Sequence, residues 1–241
     1  MSSITPQEIK VEFLKSKIGI AGIAILSILI FTSIIVVVVI PVDTFKEWNN
    51  PGNWISYPKV AIPVWINLFL SEKIPEHKIL NSPNVNYDVS GDTSITSHQF
   101  GINFDYDDFP NDFIYEFSAK YSGTPLLQMD VIRPDGIQLK LLSTSLPYSD
   151  SNSIHSERIF STDNGIRKNL DLQSNKFLFS TNNLSAEDII FSKTENHESL
   201  KGNYIFLIKM YGSNSEDQIP ESRLIIGGKA FGIMGTDELR R

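Results

Sequence analysis

Two regimes of hydrophobic patterning divide this chain. From Ile18 to Ile40 the sequence reads IGIAGIAILSILIFTSIIVVVVI, 23 residues with no charge and only Ser27, Thr32 and Ser33 as polar members. As a helix this run is ~34 Å long, enough to cross a hydrocarbon core of about 30 Å. Its β-branched end, Ile34–Ile40, makes a poor helix in water, but in lipid only a helix lets one segment satisfy its own backbone. The hydroxyls can bond back to the preceding turn. A soluble strand pair would need a turn signal inside the run, and there is none. A cleaved leader fits less well, because the run exceeds a usual signal core and no Ala-x-Ala site follows.

Beyond about Leu80 the pattern changes to period two. Phe100, Ile102, Phe104 and Tyr106 alternate with Gly101, Asn103 and Asp105, and Phe113, Tyr115, Phe117, Ala119 and Tyr121 alternate likewise. That is the signature of half-buried strands. Leu127–Ile132 and Ile137–Leu142 flank Arg133-Pro134-Asp135-Gly136, in which Pro presets one turn residue and Gly accepts positive φ. Ile159-Phe160, Phe177–Phe179, Tyr204–Tyr211 and Leu224–Ile226 add further strands, with helical periodicity confined to Ser185–Phe191. Short strands at this spacing predict an all-β domain, an antiparallel β-sandwich, on a single N-terminal transmembrane α-helix. No repeat of fixed period is present.

Between these regimes, residues 41–79 hold all three tryptophans, Trp48, Trp54 and Trp65, and prolines 51, 58, 63 and 75. The prolines exclude a long helix and leave room for a short one near Val64–Leu70. Tryptophan favours the membrane–water boundary, so the three are read as interface anchors of a surface-hugging connector. The organisation is then a cytoplasmic N-terminus (1–17), the helix (18–40), the connector (41–79), the sandwich (80–228) and a C-terminal segment (229–241). Lys10, Lys15 and Lys17 precede the helix and only Lys46 follows closely, which places residues 41 onward outside the cell membrane. Gly19, Ala21, Gly22 and Ala24 suit either a close helix–helix contact or ordinary membrane-helix composition.

Composition narrows the chemistry. A net charge of −7 argues against a nucleic-acid partner, and zero Cys excludes disulfides and thiolate metal sites. His77, His98, His155 and His197 have no helical i,i+4 pairing and are read as loop or satisfied histidines. The acidic string Asp105, Asp107, Asp108 and Asp112 lacks the glycine and ligand order of a calcium loop. No catalytic motif is present, so neither a cofactor nor a catalytic residue is expected. Asn183-Leu184-Ser185 is an N-glycosylation sequon on an outward loop.

The last stretch, GGKAFGIMGTDELRR, carries Gly235-Thr236-Asp237 followed by Glu238-Leu239-Arg240-Arg241. It resembles the Gly-Thr-Asp-x-x-Gly-Arg-Asp segment of inner-membrane permeases in the oligopeptide/dipeptide class of ABC importers. The connector residues Asn50-Pro51, Trp54, Pro58, Pro63, Trp65 and Asn67 are similar to the stretch after the first helix of archaeal-type members, some with a large insertion before the motif. The likeness covers residues 10–70 and 229–241. Arg240 stands where the family has Gly, and the family continues with several more membrane helices after the position of Arg241. The resemblance implies a permease component, or the N-terminal portion of one, with a second permease subunit, cytoplasmic ATPase subunits and a solute-binding protein as partners. The sandwich would dock the binding protein or shield the pathway entrance, and Thr236-Asp237 would cap a further helix. The alternative is a membrane-anchored β-sandwich binding module with no transport role.

Overall fold

The computed structural model describes residues 15–40, 43, 46, 48, 50–91, 93–150 and 153–240; Lys10 and Arg241 lie outside the described residues. The chain forms two compact units, residues 1–53 and 54–241.

The first unit contains α1, Lys17–Val39. Ser16 caps it by accepting a hydrogen bond from the Gly19 backbone, and Thr32 Oγ1 returns to the carbonyls of Ile28 and Leu29. Apart from Gly19, every residue from Ile18 to Val39 leaves its side chain exposed, so the helix presents apolar groups around its whole circumference. Among the described residues it is the one helix long and apolar enough to cross a membrane.

The second unit is the antiparallel β-sandwich that the period-two runs predict. Its strands are β1 (Lys78–Leu80), β2 (Asn84–Ser90), β3 (Thr93–Phe104), β4 (Asp112–Lys120), β5 (Leu126–Ile132), β6 (Gln138–Ser145), β7 (Ile154–Phe160), β8 (Gly202–Gly212) and β9 (Gln218–Gly227). One sheet has the order β1-β9-β4-β7 and the other β2-β3-β8-β5-β6. The aromatic row of β4, Phe113, Tyr115 and Phe117, faces inward with Tyr204, Phe206, Ile208 and Met210 of β8 in one core. Phe113 meets Phe206 at a ring separation of 5.7 Å, and Tyr115 meets Phe100 edge-on at 6.2 Å. Such tilted aromatic contacts add to the burial that holds two sheets together.

The crossover from β7 to β8 carries two short helices, α2 (Asn164–Asp171) and α3 (Ala186–Phe191). α2 buries Ile166 and Leu170 against β6, and α3 is opened by a capping box between Ser185 and Asp188. Phe177–Phe179, read above as a strand, follows a 3-10 turn at Ser174–Lys176 and pairs with no strand. Phe177 is drawn instead under the buried Arg133 guanidinium, 5.0 Å from the ring centre. Arg133 in turn donates to the Ile189 carbonyl (3.0 Å) and the Ser192 carbonyl (2.6 Å), and pairs with Asp135 at 2.8 Å. It thereby satisfies carbonyls at the end of α3 that a helix leaves without partners.

Residues 54–77 belong to this second unit. They are tied to the C-terminal segment by hydrogen bonds from Ile62 to Lys229 (2.9 Å), from Phe231 back to Ile62 (2.9 Å) and from Val64 to Gly232 (2.9 Å). A short 3-10 helix covers Val64–Leu68, where the prolines leave room for one.

Candidate functional site

The register of the four-stranded sheet builds a charged row across its outer face. Glu116 of β4 lies opposite Arg158 of β7 on one side and Arg223 of β9 on the other. Strand alternation turns Phe117 and its fellows inward, which sends Glu116 outward into the company of both arginines. Arg158 Nε is 2.9 Å from Glu116 Oε1, and Arg223 Nε pairs with Glu116 Oε2. Ser56 donates to Glu116 Oε1 at 3.2 Å and accepts from Arg223 Nη2 at 3.2 Å. The Glu116 side chain is only 11% exposed while its two arginines keep 41% and 40%, so the carboxylate is the buried keystone and the guanidinium faces remain available.

The next row along the strands is Ser156, Ser118 and Glu221, with the two serine hydroxyls 2.9 Å apart. A bulge follows, in which Ser118 faces Glu221 but Lys120 faces Gln218. The bulge holds Pro220, which has no N–H to give a ladder.

β1 pairs only with Leu224–Ile226 of β9. After Leu80 the chain leaves this sheet through 81–83 and enters β2 of the other, so residues 218–223 form an open margin. A cleft of about 860 Å³ runs along this margin, lined by the Glu116 row, the serine row, Glu157, Asn81, Val85 and His98. His98, on the inner face of β3, lies with Nδ1 2.5 Å from Ser222 Oγ, and burial lowers its pKa. The cleft is thus open and rich in groups that donate and accept hydrogen bonds.

The residues singled out from sequence go elsewhere. Gly235, Thr236 and Asp237 sit against the connector: Thr236 Oγ1 donates to the Pro58 carbonyl (2.8 Å) and accepts from the Ala61 backbone (3.0 Å), and Val60 donates to the Asp237 carbonyl at 3.1 Å. Asp237 Oδ1 accepts from the Leu239 backbone at 2.8 Å, and a turn at Glu238-Leu239 is closed by the Arg240 backbone donating to the Asp237 carbonyl at 3.0 Å. Trp48 belongs to the first unit and is 43% exposed. Trp54 is partly buried with its ring 6.0 Å from Tyr57, whereas Trp65 is half exposed and donates to the Ile233 carbonyl at 3.0 Å. Asn183 is exposed in a turn with φ +64° just ahead of the Ser185 cap. Within the acidic string, Asp107 meets Lys201 at 2.6 Å, which lowers the Asp107 pKa, and Asp108 meets Lys229 at 2.7 Å, while burial raises the pKa of Asp112. Among the described residues no cluster of His, Asp and Glu suits a metal ion.

No known family model matches the chain, and no curated protein matches it. Solved structures with a similar chain course include TmCBM61 in complex with β-1,4-galactotriose, at 6% identity and TM-score 0.26, covering 63% of this chain and 85% of that one. The CBM35 from Cellvibrio japonicus Abf62 has 9% identity and TM-score 0.27, covering 65% and 88%. The enzymatically active domain of bacteriophage CBA120 tailspike protein 4 has 11% identity and TM-score 0.27, covering 63% and 19%.

Proposed function

We propose that this chain is a membrane-anchored β-sandwich binding module whose cleft holds a hydroxyl-rich ligand of the cell envelope, a saccharide. The observation that carries this reading is the row Arg158–Glu116–Arg223 beside the row Ser156–Ser118–Glu221 on the floor of an open cleft. Sugar hydroxyls donate and accept at once, and planar carboxylate and guanidinium groups match pairs of them bidentately. Glu116 is already engaged by two arginines and Ser56, which leaves it a positioning role. Glu157 and Glu221 supply exposed acceptors, while Arg158 and Arg223 turn their remaining N–H groups to the ligand. In this reading α1 spans the cell membrane, with the N-terminus in the cytoplasm and the sandwich outside.

The test is retention of the full chain, in lipid nanodiscs, on a panel of immobilised envelope polysaccharides. Retention should fall at least about tenfold in the Arg158→Ala/Glu221→Ala double variant, as expected for losing two hydrogen-bonding anchors. Retention on no glycan, or retention that the double variant leaves intact, refutes the cleft as a saccharide site.

A second reading, the permease component, is supported by one specific observation. The connector and the Gly235-Thr236-Asp237 segment, which together carry the permease resemblance, are hydrogen-bonded to one another. Co-elution of ATPase subunits and a second permease subunit with the chain purified from native membranes would select this reading; their absence would discard it.

A further inference from the structure

The body of the protein displays an apolar crest built from residues that do not line the cleft. It is made by two adjoining turns, the 3-10 helix Val64–Leu68 with the following Phe69, and the turn at Ile233-Met234. Trp65 joins them through its hydrogen bond to the Ile233 carbonyl, and its ring meets Phe69 edge-on at 6.2 Å. The side chains stand out into solvent: Leu68 is 82% exposed, Phe69 79%, Ile233 80% and Met234 88%. Scattered exposed apolar residues are ordinary, but five large ones in two hydrogen-bonded turns form a patch that water does not favour.

We infer that this crest is a lipid-docking surface that seats the sandwich in the headgroup–acyl boundary of a bilayer. Two features on the chain select lipid over other occupants. Trp65 spends its N–H on the Ile233 carbonyl and keeps its ring half exposed, so the ring can enter an apolar zone without stranding a polar group. The chain also carries its own membrane helix. The sandwich is covalently tethered to that helix, so whatever bilayer holds α1 is the lipid surface nearest in sequence to the crest. Beside the crest, a hollow of about 740 Å³ is lined by Lys73, Glu76, Lys78 and Asp105 as well as Trp65 and Leu68. Charged groups flanking an apolar ridge set how deeply it can sink, about 5–10 Å for interfacial elements. Tethering raises the local concentration of lipid around the patch, so a ridge too small to hold a free protein suffices here.

The inference rests on the anchoring half of the proposed function and not on the cleft. The chain has no cysteine, so single probes can be placed without removing native thiols. A fluorophore is attached in turn to Phe31→Cys, Leu68→Cys, Met234→Cys and Thr144→Cys of the full chain in phosphatidylcholine/phosphatidylglycerol vesicles. Lipids carrying a quencher in the upper acyl chain supply the readout. Phe31 lies within α1, and Thr144 is an exposed site on β6. The expected result is quenching at 68 and 234 about threefold or more above that at 144, as for a ridge below the headgroups. Quenching at 31 with none at 68 and 234 overturns the inference while the anchoring stands. Energy transfer between probes at 68 on separate chains, without lipid quenching, also overturns it and gives the crest to a second copy. Absence of quenching at 31 removes the anchor and the inference together.

Discussion

The hydroxyl of Thr236 lies 2.8 Å from the carbonyl oxygen of Pro58, and that contact joins segments separated by 178 positions in the chain. The same oxygen accepts from the Ala61 backbone at 3.0 Å, so one side chain pins a carbonyl and an N–H of an otherwise irregular connector. Thr236→Val keeps the shape and removes both bonds. Leaving a part-buried donor and acceptor unpaired should cost about 1–3 kcal/mol, measured as a lower urea midpoint at unchanged slope. An unchanged midpoint would show that the clasp contributes nothing.

Gly235 makes the approach to that clasp and has φ +76°. A Cβ built there would stand 2.3 Å from the Ala61 carbonyl oxygen, which is backbone and cannot swing away. Gly235→Ala therefore meets both the left-handed penalty and a clash, and should cost about 2 kcal/mol or more. A loss no larger than that of Gly136→Ala, whose φ is +81° with open space around it, would disprove the clash and leave only the backbone term.

The strands were legible where one face is buried, because alternation of Phe113, Tyr115 and Phe117 with smaller or polar residues has a single physical meaning. β2 shows where that logic thins: Val85 and Tyr87 alternate with Asn86 and Asp88, yet all four are exposed at a sheet edge, so burial never sharpened the pattern. α2 was illegible because eight residues with only Ile166 and Leu170 buried give too short a period. The charged row was hidden for a different reason. Glu116 among aromatic neighbours reads as an ordinary outward residue, and only strand register reveals that Arg158 and Arg223 flank it. The connector clasp had a visible motif, but its partner, the Pro58 carbonyl, is a backbone group that no residue type announces.

Removing the charge of the cleft's keystone should be felt in both stability and binding. Glu116→Gln keeps the volume and one acceptor oxygen, but loses the charge that pairs Arg158 and Arg223 and turns an amide NH2 toward one of them. Both arginines remain around 40% exposed, so water relieves much of the repulsion. A loss of about 1–3 kcal/mol follows, between the values for exposed and buried pairs. Saccharide retention should drop as well because the guanidinium groups lose their fixed geometry. Loss of stability with full retention would leave Glu116 a purely structural group.

Arg133 is a costly polar side chain to alter. Its guanidinium is fully buried, with the Ile189 and Ser192 carbonyls and Asp135 as partners. Arg133→Met fills the space but strands Asp135 and the end of α3, and should cost about 3–5 kcal/mol in equilibrium unfolding. Arg133→Lys, with one compact ammonium for a forked group, should recover only part of that loss. Equal stability of the lysine variant and the parent would refute the forked contact as the reason arginine is needed.

The stability of the body should depend on pH through His77. Burial, with a smaller contribution from the Arg240 charge and against a favourable contact with the Ser56 backbone, pulls the imidazole down to about 4 from its ordinary 6.5. Between those values the unfolded chain binds a proton that the folded one refuses. Stability from this group is therefore complete above pH 6.5 and declines as pH falls toward 4. His77 packs edge-on against Phe231 at 5.2 Å and beside Tyr57 at 6.3 Å, so His77→Phe fits an existing aromatic cluster. Thermal unfolding of the variant at pH 7 and pH 5 should show a smaller difference in Tm than the parent, with the gain concentrated at the lower pH. His98, also lowered by burial, retains its own part of the slope and prevents it from vanishing. An identical difference in parent and variant would mean that the His77 proton is not coupled to folding.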